Sequence, residues 1–199
     1  MPGRKMARLI GSLRHSHPAS WFRPGRFVRS ASGGPAYRLS APLGRRFAFG
    51  FRPQLSPARM LRMGVFEGKY ICDAAREFPR EWYVEALRRG KLSPDAADSA
   101  CNEFGVKSRM SLGDWRRRGW IERHDPRGWF QWYCRYYIGR RLPDVDAVQI
   151  ARWRSFARHR AQIIASYQRM RRPLSRSEKR DHRMRQRQAL LQWAYDPYC

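Results

Sequence analysis

Residues 125–141, DPRGWFQWYCRYYIGRR, interleave six aromatic side chains with four arginines in 17 residues. A segment so rich in rings and charge has few ways to fold. On a helix, Trp129, Trp132, Tyr133 and Tyr136 share one stripe, with Phe130 and Tyr137 beside it. Such a stripe belongs in a core, which assigns the rings to the fold and leaves Arg127, Arg135, Arg140 and Arg141 to project outward and grip phosphates. Asp125-Pro126 reads as an N-cap followed by proline at the first helical position, and Gly139 as the stop. The spacing therefore predicts a helix over 126–138.

The rest of the chain after residue 79 carries the same punctuation. Pro79 opens PREWYVEALRRG, which Gly90 closes, and Ser93-Pro94-Asp95 opens a second helix closing at Gly105. Ser111 and Asp114 form a capping box for a helix carrying Trp115 and ending at Gly119. Pro143-Asp144 opens the longest helix, 144–170, with Ile150, Trp153, Ala157, Ala161, Ile164 and Tyr167 on its apolar face. Ser175 and Glu178 cap another, and a final helix carries Leu190, Leu191 and Trp193. No alternating strand of useful length appears. The fold class is all-α, a compact bundle of short helices with one longer one.

Charge points to the partner. The chain has 42 basic against 16 acidic residues, net +26 on 199 residues, far beyond what solubility requires, and a polyanion is the expected ligand. Residues 1–66 hold 13 basic and no acidic side chains, residues 67–138 hold 14 and 11, and residues 139–199 hold 15 and 5. Between Arg152 and Arg176 there is no acid at all. Arg152, Arg154, Arg158, Arg160, Arg171 and Arg172 therefore join the four arginines of the aromatic block as candidate phosphate contacts. Arg outnumbers Lys 37 to 5, which favours bidentate contacts and is equally the mark of a GC-rich genome.

The acid-free first segment, rich in Arg and Ser, has the composition of an organelle transit peptide. Met6, Leu9, Ile10 and Leu13 fall at helical spacing within it. The reading is a disordered or targeting extension over residues 1–60, cut near Arg29–Ser32 or Arg45-Arg46, ahead of a helical nucleic-acid-binding domain over 61–199. It points to the mitochondrion first and the plastid second, and to a bacterial cytoplasm or a nucleus if the segment is no transit peptide.

The segments GVFEGKY, EFP, WRRRGWI, DPRGWFQWYCRYYIGRR and RQRQALLQWAYD, in that order across residues 61–196, resemble a family of small proteins of bacteria and some eukaryotes that has no established activity. The resemblance implies a shared fold and carries over no functional residue.

Other motifs are weaker. Cys72, Cys101, Cys134 and Cys199 lack zinc spacing and read as reduced thiols. GVFEGKY is one residue too short between its glycines for a phosphate-binding loop and has Tyr70 where Ser or Thr would bind magnesium, leaving only Lys69 as a minor phosphate candidate. Residues 94–121 fit a helix-turn-helix imperfectly, although the W-x-x-x-G-W-I ending resembles regulators with a wing. Asp73, Glu77, Glu81 and Glu85 are expected to pair with Arg76, Arg80, Arg88 and Arg123, and Glu122, His124 and Asp125 are the candidates for any hydrolytic chemistry. No cofactor or metal is implied. The leading expectation is an RNA-binding module, organellar and ribosome-associated, with ribosomal proteins as further partners. A DNA-binding regulator is second and a nucleic-acid-processing enzyme third.

Overall fold

The computed structural model describes residues 3–170 and 172–199. Its helices are α1 (Arg4–Arg14), α2 (Pro57–Met63), α3 (Arg80–Arg88), α4 (Leu112–Arg117), α5 (Trp129–Tyr137), α6 (Pro143–Ser155), α7 (Ala157–Met170), α8 (Arg176–Asp181) and α9 (Met184–Gln192). The class is all-α; the described strands are two-residue β1 (Phe27–Val28) and β2 (Tyr37–Arg38), paired antiparallel. Phe156 keeps helical angles between α6 and α7, so they continue one another as the long helix the spacing predicts.

The aromatic helix is the centre of the molecule. Trp129, Phe130, Trp132, Tyr133 and Tyr136 of α5 are all buried. Their polar atoms are satisfied from other segments: Trp132 Nε1 donates to Asp146 Oδ1 (2.8 Å), Tyr133 OH to the Leu55 carbonyl (2.6 Å) and Trp129 Nε1 to that of Gln149 (3.1 Å). The helix starts later than the sequence suggests. Gly128, at φ 86°, is its N-cap, because Asp125 turns inward to other partners and a Cβ on Gly128 would lie 3.3 Å from Ile121. At the other end Gly139 takes φ 115° with its α-carbon hydrogen against the Ala41 carbonyl. A Cβ there would sit 2.0 Å from that oxygen, so only glycine lets the 40–41 segment pair with α5's exit.

The first sixty residues are part of this core. Leu9 and Leu13 of α1 are buried against the turn at Cys72–Glu77, and Phe22, Val28, Leu39, Phe51 and Leu55 are buried further along. Phe51 fills the angle between Trp132, Tyr136 and Trp153, with ring centroids 5.0–5.6 Å apart. A disordered extension ending near residue 60 is therefore not what the chain forms. The missing acids are supplied by the rest of the molecule: Asp95 accepts the α1 amides of Lys5 and Met6, Glu81 that of Ala19, and Glu77 those of Ala31 and Ser32. A boundary between an extension and a domain at 60/61 would cut straight through one hydrophobic core.

The helix expected from Ser93 to Gly105 is also absent, and only a single 3-10 turn, Ser99–Cys101, forms. Short polar side chains compete with helical hydrogen bonding here. Asp95 is committed to α1, Asp98 accepts from Ala100 N (2.9 Å), and Asn102 accepts from Glu67 N (2.9 Å), so the segment runs as a strap over the 64–68 turn. Without that first helix, residues 94–121 do not form a helix-turn-helix. The capping boxes at Ser111/Asp114 and Ser175/Glu178 form as the sequence predicts.

A candidate nucleic-acid interface

The ten candidate arginines divide sharply by burial. Arg135 and Arg140, expected to face a phosphate, are inside. Arg135 donates from Nε to Glu77 Oε1 (2.6 Å), from Nη1 to Asp125 and from Nη2 to Ser30 and the Gly33 carbonyl; Arg140 grips Asp125 with two nitrogens (2.9 and 2.6 Å). Both stack over Tyr37. Two guanidiniums, two carboxylates and a tyrosine thus form a closed network joining the N-terminal segment to α5. Burying such charges costs several kcal/mol each unless they are paired and hydrogen-bonded, so these two arginines hold the fold; the one nitrogen left without an acceptor among the described residues, Arg140 Nε, is itself buried.

Arg127 and Arg141 are half-buried. Arg127 holds Asp73 bidentately (2.6 and 3.0 Å), which draws that carboxyl below its usual range. Arg141 lies 3.8 Å over the Tyr136 ring and donates to the carbonyls of Arg45 (2.9 Å) and Arg46 (3.2 Å), so it clamps the 45–52 loop from beneath. Arg152 donates to the Trp120 carbonyl (2.7 Å), Arg172 pairs with Glu178 (2.5 Å), and Arg171 lies outside the described residues. The carboxylates expected to meet Arg76, Arg80, Arg88 and Arg123 have other partners: Asp73 meets Arg127, Glu77 meets Arg135, Glu81 meets the Ala19 amide and Glu85 meets Arg89.

Arg154, Arg158 and Arg160 remain, and of these Arg154 and Arg160 lie against the segment that carries the loop Arg141 clamps. Arg154 reaches across from α6 and donates to the Phe49 carbonyl (2.9 Å). Arg158, one helical turn on, is exposed and makes no ion pair among the described residues. Arg160 borders a groove of about 490 Å³ whose other walls include Arg52, Gln54, Trp153 and Tyr195. Trp153 Nε1 and Arg160 Nε are buried there without an acceptor among the described residues.

On the 45–52 loop stands Phe49. Its neighbours in RRFAFGFR alternate: Phe51 is 1% exposed and Phe47 packs on Tyr136 and Tyr137, whereas Phe49 is 95% exposed. A phenyl ring held in water costs apolar free energy; here its backbone is pinned by Arg154 and its loop by Arg141, with Arg45, Arg46 and Arg52 within four residues of it along the chain. Sequence reasoning passed over Phe49. In an extended run Phe47, Phe49 and Phe51 would share one face; the turn at 49–50, with Gly50 at φ 75°, breaks that register, and this glycine is the one local signal the sequence offers.

Glu122, His124 and Asp125, the candidates for hydrolytic chemistry, each have a partner within the fold. Asp125 is held by Arg140 and Arg135, and His124 lies on the surface side with Nδ1 3.2 Å from Glu122. Among the described residues no group of three His, Cys, Asp or Glu side chains is placed to hold a metal. Cys72, Cys101 and Cys134 are buried free thiols, and burial pushes Cys72 up to about 12. Among the described residues no helix is long and apolar enough to cross a membrane. Fold and surface together define a class: a strongly cationic all-α protein with one aromatic-centred core and an arginine-rich face. Compared with family models, with curated proteins and with solved structures, the chain matches none of them.

Proposed function

We propose that the chain is an RNA-binding module that uses the face formed by the 45–52 loop and by α6 and α7. The observation that carries this reading is Phe49, a nearly fully exposed ring on a pinned loop among arginines. An exposed ring beside guanidiniums suits an unpaired base stacked on the ring while its phosphates meet the cations, a contact worth about 1–3 kcal/mol per base and indifferent to sequence. A duplex keeps its bases stacked internally and offers Phe49 much less. Four acids, Glu67, Glu77, Asp125 and Asp146, and three arginines, Arg135, Arg140 and Arg187, are buried, so nearly all of the chain's positive excess stays at the surface.

RNA is favoured over DNA, and the ribosome over other settings, because an abundant structured RNA tolerates contacts that read no sequence. The organellar setting rests on the acid-free first 66 residues alone, and so does the kinship with the small family that the sequence resembles rest on its quoted segments alone. The test is a titration of fluorescent single-stranded RNA at several salt concentrations. Phe49→Ala is expected to weaken binding about 5- to 150-fold. Arg52→Ala with Arg158→Ala is expected to flatten the salt dependence by roughly 1.4 in slope, about 0.7 for each lost phosphate contact. Unchanged affinity for Phe49→Ala together with an unchanged slope would remove this face from the account.

A further inference from the structure

Away from that face, a second cavity lies beneath α1. It encloses about 630 Å³ between α1, the 69–73 turn, α4 and the approach to α5, within the roughly 300–1,000 Å³ usual for small-ligand sites. Five cations from four separate parts of the chain converge on it: Lys5 and Arg8 from α1, Lys69, Arg116 from α4, and Arg127. Its one carboxylate, Asp73, is occupied bidentately by Arg127. Lys5, Arg8, Lys69 and Arg116 make no ion pair among the described residues. Four cations at the rim of one concavity, facing a single carboxylate that Arg127 already holds, repel one another and focus a positive field into it. A dianionic group placed between them relieves the repulsion.

The cavity is also more than a phosphate hole. Leu9 and Ile71, both buried, and the prolines Pro94 and Pro126 give it apolar walls, and Tyr70 presents a ring braced by Phe66 and Phe130 with centroids 4.9 and 6.0 Å away. Tyr70 is held in place by its hydroxyl, which donates to the Arg127 carbonyl. A flat apolar body joined to a multiply charged anion is the ligand that such a lining fits.

We propose that this cavity binds a nucleoside phosphate, either a free nucleotide or the 5′-phosphorylated end of an RNA strand. The segment read from sequence as a disordered or targeting extension then supplies one wall of a binding site. Lys69, whose phosphate role the glycine spacing made minor, becomes a phosphate contact.

The experiment is calorimetric titration of the full chain with AMP, ADP, adenosine, and a short oligoribonucleotide carrying either a 5′-phosphate or a 5′-hydroxyl. The expected result is binding of AMP and ADP with adenosine at least tenfold weaker, and a further loss of tenfold or more in Lys69→Ala/Arg116→Ala, whose side chains are exposed and leave the core intact. In the Phe49→Ala chain, tighter binding of the 5′-phosphorylated oligomer than of both its 5′-hydroxyl counterpart and AMP assigns the site to RNA ends, and AMP bound with no difference between the two oligomers assigns it to free nucleotides. Phe49→Ala leaves the AMP isotherm unchanged, so loss of the RNA face and loss of this site read out separately. Equal affinity for adenosine and AMP, or no nucleotide binding at millimolar concentration, overturns the proposal. Because the phosphate comparison is made on the unaltered chain, it stands even if the double variant fails to fold.

Discussion

Glu77→Ala is the perturbation that probes the architecture hardest. Glu77 is 1% exposed and accepts five hydrogen bonds: from the Ala31 and Ser32 amides (2.9 Å each), Ser32 Oγ (2.5 Å), Tyr37 OH (2.9 Å) and Arg135 Nε (2.6 Å). Alanine removes one partner of a buried ion pair; Arg135 keeps its neutral acceptors on Ser30 and Gly33 but, among its carboxylate partners, only the longer 3.2 Å contact to Asp125, which Arg140 already holds. Breaking a buried pair this way costs about 3–5 kcal/mol, and each stranded amide or hydroxyl adds about 1–3 kcal/mol where water cannot reach it. Net stabilities run about 5–15 kcal/mol, so the variant stands at the edge of folding. At about 2–4 °C per kcal/mol for a chain of this size, the broken pair alone lowers the melting temperature by roughly 6–20 °C, and the stranded donors lower it further.

Urea unfolding followed by tryptophan fluorescence gives the free energy, and the double variant Glu77→Ala/Arg135→Met gives the coupling. The pair removed together should cost clearly less than the sum of the singles, because no uncompensated charge remains. Glu81→Ala, which loses one hydrogen bond to the exposed Ala19 amide, should cost about 1 kcal/mol at most. A Glu77→Ala cost of about 1 kcal/mol or less, or additivity in the cycle, would refute the closed network.

Two further expectations concern the same core. Deleting residues 1–60 removes Leu9, Leu13, Phe22, Leu39, Phe51 and Leu55 from it, so the 61–199 fragment should lose its near-ultraviolet circular dichroism, and a fragment with native signals would restore the division into extension and domain. Iodoacetamide at pH 8 should modify half-exposed Cys199 first and spare Cys72, whose thiol, raised to about 12 by burial and by Asp73, is ionised only roughly once in ten thousand at that pH. Raising the pH toward 12 increases the Cys72 thiolate, but labelling of Cys72 or the fully buried Cys134 should still await unfolding; mass spectrometry finding Cys134 labelled as fast as Cys199 would contradict the packing.

Local signals carried the second half of the fold well. Pro79, the Ser111 and Ser175 boxes and Pro143 each mark a helix start within a residue or so of where the helix begins, because caps act on the nearest amides. The ring stripe of α5 was legible for the same reason. What escaped was non-local. Nothing near Leu9 or Phe22 announces that Glu77, Glu81 and Asp95, dozens of residues on, will satisfy that segment's amides. Arg135 and Arg140 look like surface cations until Glu77 and Asp125 are known to lie beside them. The candidate face changed accordingly: Arg154, Arg158 and Arg160 stay, Arg135 and Arg140 leave, and Phe49 enters.

Ultraviolet crosslinking of the full chain to single-stranded RNA, followed by mapping of the adducts, tests the central claim most directly. The account places adducts on the peptide containing Phe49 and on peptides of α7, with the yield falling as salt rises. A chain that takes up no RNA at low ionic strength, or adducts confined to other surfaces, would contradict it.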